Sequence, residues 1–127
     1  MNSIKTYKDL LIWQKGIVLT DDIYSLVKTF PNDEIYSLTS QIKRSTISIP
    51  SNIAEGFGRN STKSYLNFLK ISRGSLFELE TQLIIAKNQN FIQNIELFDK
   101  IMKMITEEGK MINSYINKLD KSTNNYV

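Results

Sequence analysis

Apolar residues return every three or four positions through four stretches of this chain, and short polar breaks part the stretches. That spacing follows the turn of an α-helix and is incompatible with the strict alternation of a half-buried strand. No stretch reads as strand. Four helices of about 22 to 26 residues, with connections this short, predict an all-α fold: an antiparallel up-down-up-down four-helix bundle. The 127 residues suit one domain around one core. Order is expected over about residues 6–120, and residues 121–127 (KSTNNYV), which carry no apolar repeat, are expected as a frayed tail.

The first helix is expected to open near Thr6, where Thr6-x-x-Asp9 forms a capping box. Its inward stripe reads Leu10, Trp13, Ile17, Thr20, Tyr24 and Val27, flanked by Leu11, Val18 and Ile23, and it stops before Pro31. The second helix is expected over residues 34–57, capped by Asn32 or Asp33, with Ile35, Leu38, Ile42, Ile49 and Ile53 inward. Asn60 or Ser61 caps the third, whose stripe is Tyr65, Phe68, Leu69, Ser72, Leu76, Leu79, Leu83 and Ala86. Phe77, Ile84 and Ile85 lie off that stripe and call for a wider core or a partner subunit. After the polar break at Lys87–Asn90, Phe91 and Ile92 are expected to fold back. The fourth helix, about Asn94 to Leu119, turns Leu97 or Phe98, Ile101, Ile105, Ile112, Ile116 and Leu119 inward. Gly109 within it implies a close helix contact.

The densest stretch is Ser48–Arg59, SIPSNIAEGFGR. Pro50 has no N–H to donate, so the second helix is expected to kink or break briefly near it. Gly56 and Gly58 can take positive φ at the helix end. Ser45, Thr46 and Ser48 are small enough to admit a facing helix closely.

Net charge is only +3, but residues 43–73 hold six basic side chains against the single acid Glu55, which leaves that stretch +5 and the remainder −2. Lys43, Arg44, Arg59, Lys63, Lys70 and Arg73 are therefore the candidate nucleic-acid contacts, since backbone binding needs only cations that face one way. A solvated helical face accounts for them equally well. Tyr65 and Phe68 lie among them and could stack bases, though core packing is the commoner role of helical aromatics.

Absences narrow the chemistry. Without histidine or cysteine, Ser-His-Asp and Cys-His catalysis, disulfides and Glu-x-x-His di-metal sites are ruled out. Glu107-Glu108 and Asp21-Asp22 read as surface charge. Gly56-Phe57-Gly58 lacks the lysine spacing of a phosphate-binding loop and follows a helix. No cofactor, metal site or catalytic residue is expected. No apolar run approaches a membrane span, and the start of the chain lacks a signal core, so a cytoplasmic protein is expected. Glu55, Arg44, Arg59, Arg73 and Glu78 form the one polar constellation. An ion-pair network between helices is the favoured reading; an acid–base site on Glu55 or Glu78 is the alternative.

SIPSNIAEGFGRNS, followed by Tyr65-x-x-Phe68-Leu69 and by Ser72-Arg73-Gly74-Ser75-Leu76-x-Glu78-Leu79, resembles a known family, as does Lys8-Asp9-Leu10-x-x-Trp13-Gln14-Lys15. The chain is similar, over about residues 7 to 118, to the four-helix-bundle proteins encoded in intervening sequences of bacterial large-subunit ribosomal RNA genes. The resemblance implies a bundle assembled as a ring, commonly a homopentamer, with no assigned biochemical role. The similar accessory variability determinants of diversity-generating retroelements form basic pentameric barrels that bind nucleic acid and a reverse transcriptase. Carried over, the motif positions are Arg44, Ser48, Pro50, Asn52, Glu55, Gly56, Arg59, Ser72, Ser75 and Glu78, expected to hold the second and third helices together. Residues and resemblance together predict a non-enzymatic homo-oligomer that binds RNA or DNA through a basic surface. The alternative is a scaffold that binds another protein and no nucleic acid.

Overall fold

The computed structural model describes residues 3–124. Four helices account for most of them: α1 (Leu11–Val27), α2 (Leu38–Phe57), α3 (Thr62–Asn88) and α4 (Ile95–Asn124). No strand occurs among the described residues. Contacts fix the order of packing. Along α1 and α2, Gly16 lies beside Pro50, Thr20 beside Thr46 and Tyr24 beside Lys43. Along α2 and α3, Ser45 meets Glu78, Ser48 meets Ser75, Ile49 meets Ser72 and Gly56 meets Phe68. Tyr65 and Tyr115, Arg73 and Asn113, Leu76 and Gly109, and Lys87 and Phe98 pair α3 with α4. Asp22 with Lys100 and Gly16 with Glu108 close the ring between α1 and α4. One number rises as the other falls in every pair, so each helix runs antiparallel to both of its neighbours.

The core is aliphatic. Leu19, Ile23, Leu26, Ile42, Ile49, Ile53, Leu69, Leu76, Leu79, Leu83, Ile101 and Ile112 are its large, fully buried side chains. The expected stripes of α3 and α4 are nearly those observed, with Leu66 and Gln82 added on α3 and Tyr65 and Phe68 only half-buried. In α1 the two ends of the expected stripe, Leu10 and Val27, are buried, but the phase between them is shifted: Ile12, Gly16, Leu19, Ile23 and Leu26 face inward, while Tyr24 is exposed and Trp13, Ile17 and Thr20 are half-buried. Apolar residues cover more than half of this helix's circumference, and Leu11 and Val18 add to its polar side, so periodicity does not fix the centre of its inward face. Gly16 does, by letting α1 close on Pro50 and Glu108.

Helix starts follow local chemistry. The Thr6–Asp9 capping box closes a separate 3-10 turn, Tyr7–Asp9, and extended Leu10 stands between that turn and α1. Asn32–Glu34 likewise form their own 3-10 turn, so α2 begins four residues later than expected, at Leu38, and leaves Ile35 and Tyr36 exposed. Ser61 caps α3 by accepting the Ser64 N–H at 3.1 Å, and Asn94 caps α4 by accepting the Leu97 N–H at 3.0 Å. Phe91 folds back against Phe30, ring centroids 5.9 Å apart. Residues 121–124 continue α4 where a tail is expected; 125–127 lie outside the described residues.

Two glycine expectations are corrected. Neither Gly56 nor Gly58 has positive φ; among the described residues that conformation belongs to Asn90, at 64°, in the α3–α4 connection. Gly56 is required by proximity: a Cβ there would stand 2.7 Å from Cβ of Phe68 and 3.0 Å from Cδ1 of Tyr65. Pro50 sits within an unbroken α2. Its missing N–H leaves the Thr46 carbonyl without its usual donor, and the Thr20 hydroxyl of α1 approaches that oxygen at 3.4 Å while donating to the Gly16 carbonyl at 2.8 Å. Glu107 is exposed as expected, but Glu108 is not surface charge: it is 1% exposed, in the bundle core.

Candidate nucleic-acid interface

Gly16, Pro50, Leu76 and the Glu108–Gly109 pair lie in one layer across the bundle. The layer divides the chain's charge. Residues 3–15, 51–75 and 110–124, on one side, carry ten lysines and arginines against three acids, a net +7. Residues 17–49 and 77–107, on the other, carry six against nine, a net −3, and Glu108 stands at the boundary. A summed charge of about 3 thus hides a bundle that is strongly basic at one end and acidic at the other.

Of the six cations read from sequence, Arg59, Lys63, Lys70 and Arg73 fall in the basic half and Lys43 and Arg44 in the acidic half. Lys63 and Lys70, seven residues apart, are exposed on one line of α3. Arg73 turns toward α4 and donates to Asn113 Oδ1 at 2.8 Å. Arg59 pairs with Glu55 at 3.0 Å and lies 4.8 Å from the Phe68 ring centroid, so its charge is partly neutralised. Lys43 stands over the Tyr24 ring at 4.9 Å, on the α1–α2 side, away from the α3 lysines.

Sequence reasoning missed the α4 contribution. Lys110, Asn113, Ser114, Asn117, Lys118 and Lys121 line one open groove whose only charges are positive. Their spacing puts them within about two-fifths of the helix circumference at about 100° per residue, which a count along α4 alone reveals. Amides and a hydroxyl among lysines suit phosphate oxygens, which accept from all three. The Arg73–Asn113 bond links this groove to α3.

The motif residues do something else. Ser45 donates to Glu78 at 2.6 Å, Ser48 and Ser75 share a bond of 2.7 Å, and Asn52 donates to the carbonyl and hydroxyl of Ser48, both at 2.8 Å. Ser72, fully buried, donates to the Ile49 carbonyl at 2.9 Å. The Ser45, Ser48 and Ser72 bonds form a polar seam between α2 and α3, and Asn52 fixes Ser48 from within α2. The expected network of Glu55, Arg44, Arg59, Arg73 and Glu78 does not assemble: Glu55 holds Arg59, Glu78 takes Ser45, and Arg73 binds across to α4.

The two carboxylates that could have made an acid–base site each hold a partner, Glu55 with Arg59 at 3.0 Å and Glu78 with Ser45 at 2.6 Å. An apolar groove of about 400 Å³ lies between the N-terminal segment and α4, lined by Ile4, Leu10, Leu11, Ile12, Met111 and Tyr115 among others. Its carboxylate, Asp9, is held below its ordinary pKa by the N–H groups of Thr6 and Lys5 and serves as a cap, not a base. No group of three acidic side chains gathers to hold a metal, and no helix is long and apolar enough to cross a membrane, among the described residues.

Fold and surface define a class: a small antiparallel four-helix bundle, polarised in charge along its axis, with a serine-rich seam between its second and third helices. Residues 8–114 match the 23S rRNA-intervening sequence protein family, and the chain belongs to that family. It is similar in structure to a protein of unknown function from the S23 ribosomal protein family of Bacteroides thetaiotaomicron. The two are 27% identical, the match covers 84% of this chain and 96% of the other, and the TM-score is 0.76. No curated protein matches the chain.

Proposed function

We propose that this protein is a non-enzymatic, cytoplasmic bundle that self-assembles and binds RNA or DNA along its basic half. The lengthwise separation of charge, +7 against −3, carries the reading. Lys63 and Lys70 on α3, Arg73 at the α3–α4 seam, and Lys110, Lys118 and Lys121 on α4 supply the cations. Contacts of this kind read phosphate positions and not sequence. Titration of a labelled RNA at increasing salt tests it. Each phosphate neutralised contributes about −0.7 to the log–log salt slope on a single strand. Reversing Lys110, Lys118 and Lys121 to Glu should flatten that slope and weaken binding, whereas reversing Lys28 and Lys87 in the acidic half should not. Binding that ignores salt, or that is equally sensitive to both sets, overturns the reading.

Self-assembly is supported by apolar surface that one chain leaves open. Ile71, Phe77, Ile84 and Ile85 on α3 and Ile47 on α2 are 43–51% exposed. Isolated exposed apolar residues are ordinary, but five on two adjacent helices favour a partner surface. A homopentameric ring is the assembly we propose, with a solution mass near five times 14.7 kDa. Light scattering that returns the monomer mass at micromolar concentration overturns it. The same surface suits a second reading, a scaffold for another protein, which is favoured if Phe77→Glu with Ile84→Glu leaves the mass unchanged.

A further inference from the structure

Glu108 is the acid that the proposed binding surface does not use. Both of its carboxyl oxygens are buried without a hydrogen-bond partner among the described residues. The layer around it is made to admit it: a Cβ on Gly16 would stand 3.3 Å from Oε2 of Glu108 and 3.4 Å from Cβ of Pro50. α2 faces it with Pro50, and α3 reaches the same layer with Leu76, neither of which carries charge. Lys15 of α1 is the cation that bears on it. Lys15, Val18, Met104 and Glu107 line a small surface recess, and Lys15 and Glu107 are the chain neighbours of Gly16 and Glu108, so the recess adjoins the layer with one cation and one further acid in its lining.

We propose that this layer is a proton-held joint: α4 is docked against α1 and α2 while Glu108 carries a proton, and losing that proton favours release of its carboxylate into the recess beside Lys15. The physical basis is the cost of an ionised carboxylate in an apolar layer, which is avoided by keeping the proton or by leaving the layer. Burial pushes Glu108 up to about 8, against the smaller opposing pull of Lys15. A released carboxylate in water has an ordinary pKa. Opening therefore takes up no proton below that ordinary value, releases one between it and about 8, and is independent of pH above. The opening equilibrium should rise about tenfold per pH unit across that window and then level. This inference does not depend on nucleic-acid binding or on ring size.

Carbon-13 NMR of the glutamate carboxyl groups, with Glu108 assigned by its loss in Glu108→Gln, reads the titration directly. A midpoint near 8, moved upward in Lys15→Met, is the expected result. Hydrogen exchange of α4 amides, corrected for intrinsic base catalysis, reads the opening. The α4 amides should exchange faster than those of the α2–α3 seam and lose protection with rising pH in the wild type, and in Glu108→Gln they should show no such loss. If the Gln variant does not fold, Glu108→Met serves both for the exchange comparison and for assigning the Glu108 resonance in the wild-type titration. A midpoint in the ordinary carboxylate range overturns the joint. So does an α4 that exchanges no faster than the α2–α3 seam at any pH, because the acid would then burden the whole fold and nothing would hinge.

Discussion

Gly56 and Gly74 show how one residue type acts in two ways within the same bundle. At Gly56 an added Cβ would run into Cβ of Phe68 at 2.7 Å, an atom bound directly to the α3 backbone, so the helices must part. At Gly74 nothing lies within 4 Å. Gly56→Ala is therefore expected to lose about 1–3 kcal/mol in denaturant unfolding, the cost of overpacking. Gly74→Ala should gain about 0.5–1 kcal/mol by removing backbone entropy from the unfolded chain. Glu108 permits a third prediction at this scale. Its raised folded pKa means that the native state binds a proton the unfolded chain has released, so stability falls as pH rises from about 4.5 toward 8. Glu108→Met keeps the bulk without the acid, and its advantage over wild type should grow by about 1.4 kcal/mol per pH unit across that window in thermal or chemical melts. Sequence reasoning placed Glu108 at the surface because a Glu-Glu pair beside a lysine-rich stretch carries no mark of which acid turns inward.

At the scale of the element, α2 depends on its neighbours at two points. The serine seam ties it to α3, and Thr20 of α1 approaches the carbonyl that Pro50 leaves without a donor. Ser72→Ala should cost about 1 kcal/mol, the usual net value of one buried hydrogen bond. The Thr20 contribution is best read by a double-mutant cycle. Thr20→Val should destabilise the wild type but matter less in a Pro50→Ala background, where the alanine N–H again serves Thr46; a coupling of about 0.5–1 kcal/mol is expected. Additive effects would mean that the hydroxyl works only within α1, through Gly16. The helices themselves were legible in the sequence: α3 and α4 display their inward faces through spaced leucines and isoleucines, and Ser61 announces the start of α3. α1 was not, because Leu11-Ile12-Trp13 and Ile17-Val18-Leu19 spread apolar residues over more than half of its circumference. The start of α2 was misplaced because the Asn-Asp-Glu run that can cap a long helix also closes a 3-10 turn on its own.

For the whole molecule, the property of most consequence is the division of charge about the Gly16–Pro50–Leu76–Gly109 layer. Reversing Lys63 and Lys70 together should weaken RNA binding less than reversing Lys110, Lys118 and Lys121, since the α4 lysines line one groove while the α3 pair lies outside it. Electrophoretic mobility shifts of the two variants at one salt concentration check that order. The linear sequence located four cations of the basic half but also included Lys43 and Arg44, which antiparallel folding carries to the acidic half, and it omitted the α4 lysines, nearly 40 residues further on. The sequence by itself determined the all-helical class, the helix count and the aliphatic core of α3 and α4, because periodicity and capping act within a few residues; the serines of the seam were marked only by the family resemblance. Which face of α1 turns inward, that Gly56 answers to proximity, that Glu108 is buried and that distant cations share one end were decided only by tertiary structure. Each of those depends on which side chains from separate helices meet in one layer, and antiparallel packing sets that across separations no local pattern encodes.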